Sequence, residues 1–461
     1  MDELKSLSKR QLIRMILELQ QRVLKLEAEV ARLRKDSSTS SKPPSSDIVK
    51  PPRPAPPAGK KRRIGGQPGH PRHERPPFLP EQIDHFEEYR LAHCPSCKGP
   101  VVLADHPARV LQQAELVDRP LKITEHRALA CQCQDCGQVH YAPFPVVVDR
   151  GGLVGPRLTG MCGYLKGAGH LSYTTLQDFL HQVFQLELSS GQLAKLMGKV
   201  SAALDAPYQQ LQVRLPGEAQ VRVDETGHRE KGKGWWSWCF RADDYTWFKI
   251  DPTRSSKVLV AVLGHLFEGV LSCDYFSAYR KFMADADVRV QFCLAHLIRD
   301  VKYLTTLPDK VTRNYGHRLL QRLRELFAVI HRRDRLSPEA FQKALTQARQ
   351  AVLATGKRAP PRSEALNLAQ RFKEHGEAYF RFVTTPGIEP TNNLAEQAIR
   401  FVVIDRKITQ GTRGQAGRKW CERIWTVIAT CAQQGRRVFD YLCQAILAHF
   451  QGTTVPSLLP A

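Results

Sequence analysis

The sequence predicts a multidomain protein whose largest domain belongs to the mixed α/β class. Its 461 residues exceed the usual size of a single hydrophobic core. A hydrophobic content of 42% with 25% charged residues is typical of folded domains and not of disordered chains. Between residues 219 and 292, apolar residues alternate with a period of two, and helical stretches separate the later segments. This pattern predicts a sheet flanked by helices.

Charge indicates the class of partner. The chain has 68 lysines and arginines against 45 aspartates and glutamates, a net charge of +23, so nucleic acid is the first partner to expect. We expect no membrane association, because no apolar run is long enough to span a bilayer and the amino terminus does not resemble a signal peptide. The expected location is the cytoplasm, with nucleoid association. Its twelve cysteines should then be thiols or metal ligands.

Residues 1–35 predict a coiled coil. Apolar residues recur at alternating spacings of four and three, with β-branched residues at the a positions and leucines at the d positions. The seam consists of Leu12, Ile16, Leu19, Val23, Leu26, Val30 and Leu33. This pattern favours a homodimer or higher oligomer. The alternative is an amphipathic helix packed on its own domain, which would normally show a wider apolar stripe.

Residues 36–80 predict a disordered, basic and proline-rich linker or arm. Its serine-rich and proline-rich start cannot build a core. The basic run that follows would suit DNA binding along a phosphate backbone, although a solvated charge run gives the same pattern. This run comprises Lys60, Lys61, Arg62 and Arg63.

Residues 81–145 predict a small zinc-binding module. Two CxxC pairs, Cys94 with Cys97 and Cys133 with Cys136, offer the four thiolates of a tetrahedral structural zinc site. The segment between the pairs alternates like strands, so a β insert could bring them together. Four unrelated buried thiols are the alternative, but two such pairs seldom arise by chance.

Residues 146–212 predict a helical region that binds DNA. Thr174-Thr175 is the predicted cap of one helix, and Ser189-Ser190 is the predicted cap of the next. Two short helices joined by a turn match a helix-turn-helix. An ordinary helical hairpin gives the same pattern.

Residues 213–304 and 385–435 are predicted to form the domain with the central sheet. The order is three meandering strands, a helix, a strand, a helix and a strand, which is the order of the ribonuclease-H-like fold. The strands are predicted at residues 219–224, 235–241, 245–250, 269–274 and 288–292. Residues 305–384 are predicted to be a helical insertion. Residues 436–461 are assigned as a C-terminal tail.

Three acids of this domain are predicted to be catalytic. Asp224 and Asp274 end the first and fourth strands, which are neighbours in this topology, and Glu396 lies in the second turn of a later helix. Three converging carboxylates repel one another unless cations lie between them, and two Mg²⁺ (or Mn²⁺) ions suit such oxygen ligands. Each acid also has an ordinary explanation: a strand-end acid, a turn cap or a helical ion pair with Arg400. Glu225 is a rival ligand.

Basic residues near these acids are candidates for DNA binding. His296 and Arg299 follow the fifth strand and could polarise a phosphate, although a satisfied core histidine gives the same pattern. The stretch after the third acid predicts a phosphate-binding surface. Its members are Arg400, Arg406, Lys407, Arg413, Arg418, Lys419 and Arg423.

The sequence resembles the DDE transposases of the insertion-sequence-66 type from the coiled coil to about Gly435. Besides the CxxC pairs, the matching motifs are Ser41-Lys42-Pro43-Pro44-Ser45-Ser46-Asp47, Gly66-Gln67-Pro68-Gly69-His70, Val223-Asp224-Glu225-Thr226, Cys273-Asp274-Tyr275, Cys293-Leu294-Ala295-His296, Asn392-Asn393-Leu394-Ala395-Glu396 and Arg406-Lys407. Two positions depart from the family pattern. Gln397 stands where arginine is common, and only Arg299 follows His296 where paired basic residues are expected.

The resemblance implies a Mg²⁺-dependent transposase with Asp224, Asp274 and Glu396 as catalytic acids. Its expected partners are the terminal inverted repeats of its element, target DNA and accessory proteins of the element. Two alternatives stay open: a metal-dependent nuclease of the same fold, and a non-catalytic zinc-containing regulator that binds DNA. An intact set of three acids argues against the regulator, which has no need of one.

Overall fold

The computed structural model describes residues 8–33, 76–103, 107–117, 120–136 and 138–460. The basic run predicted at residues 60–63 lies outside these ranges. The chain separates into two compact units, residues 53–125 and the remainder, and each is considered by itself. In the described part of the chain, no helix combines the length and the apolar character needed to cross a membrane.

The unit formed by residues 53–125 has little regular structure in its described part. It contains a short 3₁₀ helix, Pro80–Gln82, and an isolated bridge between His93 and Pro100. The β insert expected between the CxxC pairs is wrong for the described residues, because no strand forms there before Ala130. Its alternating apolar side chains, such as Ile123, are largely exposed and therefore have no core face to pack against.

The first helix of the other unit, α1, spans Lys9–Leu33. Ser8 caps it: the Ser8 backbone N–H donates to Gln11 Oε1 at 2.8 Å. The a and d side chains Ile16, Leu19, Val23, Leu26 and Val30 are each between 45% and 61% exposed. The predicted helix is therefore present, and these apolar side chains remain accessible to a partner.

A hairpin and five helices precede the central sheet. Strands β1 (Ala130–Gln132) and β2 (Val139–Tyr141) pair antiparallel, with Cys131 opposite His140. The helices are α2 (Val146–Gly151), α3 (Pro156–Gly167), α4 (Tyr173–Phe184), α5 (Ser190–Ala203) and α6 (Asp205–Arg214). Thus the two helices predicted for this region are present as α4 and α5.

The caps of these two helices differ in part from the prediction. Ser172 caps α4, where Thr174-Thr175 was expected, and its hydroxyl accepts from the Thr175 backbone N–H at 3.0 Å. Ser189 caps α5 as expected, and its partner in the capping box is Gln192. Leu180 and Leu193 are fully buried in a small core that α4 and α5 share.

The central sheet has five strands: β3 (Gln220–Glu230), β4 (Lys233–Arg241), β5 (Thr246–Asp251), β6 (Val270–Cys273) and β7 (Arg289–Phe292). Their order in the sheet is β5-β4-β3-β6-β7. The first three strands are antiparallel, whereas β6 is parallel to both β3 and β7. The predicted mixed α/β class is confirmed, and all five predicted strands are present.

Strand β3 is longer than the sequence indicated. Its pairing with β6 stops at Arg222 opposite Ser272, but its pairing with β4 continues to Glu230. Asp224 therefore does not end the strand, as was expected. Asp224 lies two residues beyond the last β3 residue that pairs with β6, at the edge of the sheet where β6 ends.

Helices cover the sheet and extend its core. Between and after the strands come α7 (Ser256–Leu263), α8 (Ser277–Ala286) and α9 (Leu294–Leu304). The predicted insertion contains α10 (Lys310–Ile330), α11 (Pro338–Lys357), α12 (Ser363–Tyr379) and the short α13 (Arg381–Thr384), and α12 and α13 contact β7. The last helices are α14 (Asn393–Thr409), α15 (Gln415–Gln433) and α16 (Val438–Gln451).

Side chains of α15 accept hydrogen bonds from backbone N–H groups along the free edge of β5. Thr426 and Thr430 accept the backbone N–H groups of Phe248 and Thr246 at 3.1 and 3.2 Å. An edge strand otherwise exposes such groups to pairing with another chain. The segment assigned as a tail contains α16, whose Leu442 is fully buried, so this segment contributes to the core.

Candidate active site

The three predicted acids come from three elements. Asp224 lies in β3, Asp274 directly follows β6, and Glu396 lies in the first turn of α14, one turn earlier than expected. Burial and the charges of Glu225, Asp274 and Glu396 all raise the pKa of Asp224 well above its ordinary value. The charges of Asp274 and Glu396 thus reach Asp224, although the ligand atoms of the three carboxylates do not all lie within 4.8 Å of one another.

Asn392 fixes the start of the helix that carries Glu396. Its side-chain amide donates to the carbonyl oxygen of Val223 at 2.8 Å, and its backbone N–H donates to Cys293 Sγ at 3.2 Å. Asn392 is only 2% exposed. Together with the bond from the Leu294 backbone N–H to the Pro390 carbonyl oxygen at 2.9 Å, these contacts hold the loop before α14 against β3 and α9.

Asp274 is held by the backbone that follows β6. Its Oδ1 accepts from the Phe276 backbone N–H at 2.9 Å. Burial, followed by the charge of Glu225, raises the pKa of Asp274 to about 7, although this hydrogen bond and the positive charge of Arg254 act in the opposite direction. Asp274 is therefore poised to change protonation near neutral pH when no cation is bound.

Glu225 forms a buried ion pair beside the aspartates. Arg254 Nε donates to its Oε1 at 2.7 Å, and the hydroxyl of Tyr279 donates to its Oε2. Arg254 itself lies over the ring of Phe276, 3.7 Å from the ring centroid. The negative charge of Glu225 raises the pKa of both Asp224 and Asp274, so this residue influences the site without being one of the three acids.

His296 and Arg299, predicted to contact phosphate, flank Glu396. The His296 Nδ1 and Arg299 Nη2 atoms each lie 3.5 Å from a carboxylate oxygen of Glu396. Burial and the charge of Arg299 lower the pKa of His296 to about 4, so its imidazole is neutral at pH 7. Arg299 is the fixed positive charge next to the third acid.

The predicted phosphate-binding stretch divides into exposed and paired residues. Arg400, Lys407, Arg413 and Lys419 are exposed. Arg406 is partly buried, and its Nη1 donates to the Thr226 hydroxyl of β3 at 3.3 Å.

The other two arginines of that stretch form ion pairs within the protein. Arg418 binds Glu230 at 2.8 Å. Arg423 is buried and bound to Asp205 and to the carbonyl oxygen of Ser201, so its assignment to the surface is wrong. The apolar face of α15 carries Arg423 into the core, where Asp205 compensates its charge.

The first CxxC pair forms a tight turn. The Cys94 backbone N–H donates to Gly99 at 2.9 Å, and the Lys98 N–H donates to the Cys94 carbonyl oxygen at 2.9 Å. Backbone N–H groups of Cys97 and Ser96 point at the Cys94 sulfur and lower its pKa. A sulfur so placed is stabilised as the thiolate, the form that binds metals.

The second CxxC pair has the same local form within its own unit. It lies in the turn between β1 and β2, where the Cys133 backbone N–H donates to the Gln138 carbonyl oxygen at 2.8 Å. Backbone N–H groups of Cys136 and Asp135 lower the pKa of Cys133. In each pair, backbone N–H groups of the turn thus lower the pKa of the first cysteine.

The chain matches the transposase IS66 family over residues 151–419, which is more than half of its length. It belongs to that family. Membership implies a DNA-modifying protein that binds DNA. The matched range contains all three acids of the candidate site, whereas both CxxC pairs lie before it. A separate match to a family of unknown function covers residues 2–76.

Two proteins of Sinorhizobium fredii (strain NBRC 101917 / NGR234) are similar to this IS66-family chain. Uncharacterized protein y4hP is 24% identical over 371 residues, which cover 73% of this chain and 67% of y4hP. Uncharacterized protein y4qI is 25% identical over 312 residues, which cover 60% of this chain and 56% of y4qI. The match to y4qI thus spans little more than half of that relative.

Proposed function

We propose that this protein cleaves and joins DNA strands at the ends of a mobile element by metal-dependent phosphoryl transfer. The observation that carries the proposal is geometric: β3 and β6 run parallel side by side, so that Asp224 and Asp274 lie at the same edge of the sheet, and the charge of Glu396 at the start of α14 also acts on Asp224. Carboxylates from three elements approach one another only at considerable cost, because like charges repel. Such an arrangement in a family of transposases is best explained by the cations that these acids would hold.

The strand order supports a ribonuclease-H-like catalytic domain. Three antiparallel strands are followed by two that are parallel to the first, in the order β5-β4-β3-β6-β7. In this arrangement β3 and β6 are neighbours, and their acids lie at the same edge of the sheet. Sites of α/β sheets commonly occur at this edge.

The donor set fits Mg²⁺ or Mn²⁺. All three side chains offer carboxylate oxygens, the ligands that these hard cations prefer. Burial and neighbouring negative charges raise the pKa of both aspartates, with Glu225 acting on each of them. Two bound ions would activate the attacking oxygen, water in cleavage and a freed 3′-hydroxyl in joining, and would stabilise the leaving oxygen.

The protein's own residues position these acids. Asn392 holds the start of α14 against β3, and Arg299 is the cation beside Glu396. The ion pair of Glu225 with Arg254 keeps a further negative charge buried next to the aspartates. The exposed Arg400, Lys407, and the neighbouring basic residues of α14 and α15 would bind the phosphate backbone.

Three other parts of the chain have proposed roles in zinc binding, self-association and DNA binding. The four CxxC thiolates would hold one structural zinc ion, which the activated sulfurs of Cys94 and Cys133 favour. The apolar side chains along α1 would pair with those of a second copy, while α4 and α5 would bind DNA as a helix-turn-helix.

The test uses purified full-length protein and labelled DNA fragments that carry the sequences flanking its own gene. With Mg²⁺ we expect specific cleavage and joining of the cut ends to a second DNA, and no reaction in EDTA. Cutting without joining would favour the metal-dependent nuclease. Specific binding with neither reaction would favour the non-catalytic regulator and would contradict the proposal.

A further inference from the structure

Glu396, one of the three acids, also belongs to a second cluster of possible metal ligands. The cluster consists of one ligand atom from each of Cys293, His296 and Glu396, and these three atoms lie within 4.8 Å of one another. It is the one group of this kind in the part of the chain that the structure describes. Cys293 and His296 belong to the start of α9, and Glu396 to the start of α14. The bond from Leu294 to Pro390 joins these two helix starts.

Two of the three ligand atoms lack hydrogen bonds. His296 Nδ1 and Glu396 Oε1 are both buried, and neither has a hydrogen-bond partner among the described residues although they lie 3.5 Å apart. His296 is only 8% exposed. A buried polar atom without a partner costs about 1–3 kcal/mol, so two of them facing each other indicate a ligand between them.

The sulfur of Cys293 is oriented toward the same point by the backbone. The N–H of Asn392 donates to it at 3.2 Å, and the N–H groups of Ala295 and His296 also point at it. Burial raises the pKa of the Cys293 thiol to about 11, although these three N–H groups act in the opposite direction. The sulfur is a possible ligand because it lies within 4.8 Å of the ligand atoms of His296 and Glu396.

The chemistry of the donors selects the cation. Sulfur, imidazole nitrogen and carboxylate oxygen together suit Zn²⁺ and similar first-row ions, whereas Mg²⁺ prefers oxygen ligands alone. Three protein ligands leave a fourth position for water, and the side chain of Glu396 is 30% exposed, which leaves a path from solvent.

We propose that Cys293, His296 and Glu396 bind Zn²⁺, and that this ion inhibits the protein by withdrawing Glu396 from the Mg²⁺-binding acids. On binding, the thiol proton of Cys293 passes to solvent and a zinc–sulfur bond forms. The inhibition rests on the proposed function, but the binding of the ion does not. Zinc would thus act at two places in the chain, as a structural ion at the CxxC pairs and as an inhibitor here.

Metal binding is tested with Co²⁺, whose bond to a thiolate gives a measurable charge-transfer absorption. Full-length wild-type protein, Cys293→Ser and Cys431→Ser are compared; Cys431 is a buried thiol outside the cluster. We expect wild type and Cys431→Ser to bind one more Co²⁺ per chain than Cys293→Ser. Equal binding by all three would overturn the site. If Cys293→Ser fails to fold, as judged by circular dichroism, His296→Asn takes its place in this measurement.

Inhibition is tested by adding Zn²⁺ to the cleavage reaction at fixed Mg²⁺. Because Cys293 also helps to hold the loop before α14, the inhibition of each protein is expressed relative to its own rate without Zn²⁺. On that scale we expect Cys293→Ser to require at least about tenfold more Zn²⁺ for half inhibition than wild type or Cys431→Ser. Equal sensitivity of all three would overturn the inhibitory role. If wild type cleaves no DNA, the proposed function fails, while the Co²⁺ measurement still decides whether the ion binds.

Discussion

The side-chain amide of Asn392 donates a hydrogen bond to the carbonyl oxygen of Val223 at 2.8 Å. This bond joins the start of the helix that carries Glu396 to the residue directly before Asp224. Because both groups are buried, water cannot replace either partner without rearrangement. The distance between two of the three acids thus depends on a residue that is not itself an acid.

We expect Asn392→Ala to lower cleavage while DNA binding persists. The substitution leaves the buried carbonyl oxygen of Val223 without this donor, which costs about 1–3 kcal/mol. It also frees the start of α14 to shift, so the loss should appear in the rate of cleavage. Asn393→Ala is the matched control, because Asn393 is the exposed neighbour. Equal activity of the two variants would show that Asn392 does not position Glu396.

The catalytic assignment predicts that Asp224→Asn, Asp274→Asn and Glu396→Gln each abolish both cleavage and joining. Each change removes a metal-binding charge with little change in volume. Binding of the flanking DNA should persist, because basic surfaces supply it. Gel-shift and strand-cleavage assays on the same preparations measure both properties.

Glu268→Gln is the matched control for these three variants. Glu268 is exposed and precedes β6, at the opposite end of that strand from Asp274. Near wild-type activity in any of the three would remove that residue from the proposed set. Glu225→Gln is not a neutral control: it removes the charge that raises the pKa of both aspartates and breaks the pair with Arg254.

The raised pKa of Asp274 predicts how stability depends on pH without Mg²⁺. The value is about 7 in the folded protein against an ordinary 3.8, so the folded state binds the proton more tightly. Stability from this group is therefore present at low pH and is lost as pH rises from about 4 through about 7. Wild type should lose more thermal stability between pH 5 and 8 than Asp274→Asn does. Parallel curves for the two proteins would contradict this.

Added Mg²⁺ should reverse this trend. The cation binds ionised carboxylates, so it should raise the melting temperature of wild type more at pH 8 than at pH 5. Asp274→Asn should gain less at either pH. An equal gain in both proteins would indicate that the ion binds elsewhere.

The order of the strands and the neighbouring positions of Asp224 and Asp274 followed from the sequence, but the length of β3 did not. The alternation of apolar residues ends near Asp224, because His228 and Glu230 beyond it are buried polar residues. Their partner is Thr412, whose hydroxyl lies 2.9 Å from His228 Nε2 and also binds Glu230. A strand stabilised by a residue some 180 positions away in the chain leaves no local pattern.

The same reason explains what was missed at the site. Arg254 and Tyr279 bind Glu225 across distant parts of the sequence, and no spacing rule connects them. Arg423 was assigned to the surface because basic residues usually lie there, whereas its partner Asp205 precedes it by 218 positions. Motifs located Asn392, but only its bond to Val223 indicates what it does.

The zinc hypothesis predicts that purified protein contains zinc that Cys94→Ser combined with Cys97→Ser removes. Loss of two of four ligands should also make residues 81–145 sensitive to protease, because zinc contributes directly to folding of small modules. Cys131→Ser is the matched control: Cys131 is exposed in β1 but belongs to neither CxxC pair. Metal analysis that finds the same zinc content in all three proteins would contradict the site.

The exposed seam of α1 predicts self-association of the full-length protein. Val23 and Leu26 are 51% and 61% exposed, and burying such side chains against a second copy is favourable. Val23→Lys with Leu26→Lys places two charges in the seam and should convert the oligomer to monomer in sedimentation velocity. Leu17→Lys with Gln21→Lys adds the same charge on the outer face of the heptads and should leave association unchanged. Should wild type sediment as a monomer at micromolar concentration, or should both double variants remain associated, the seam of α1 does not join two copies.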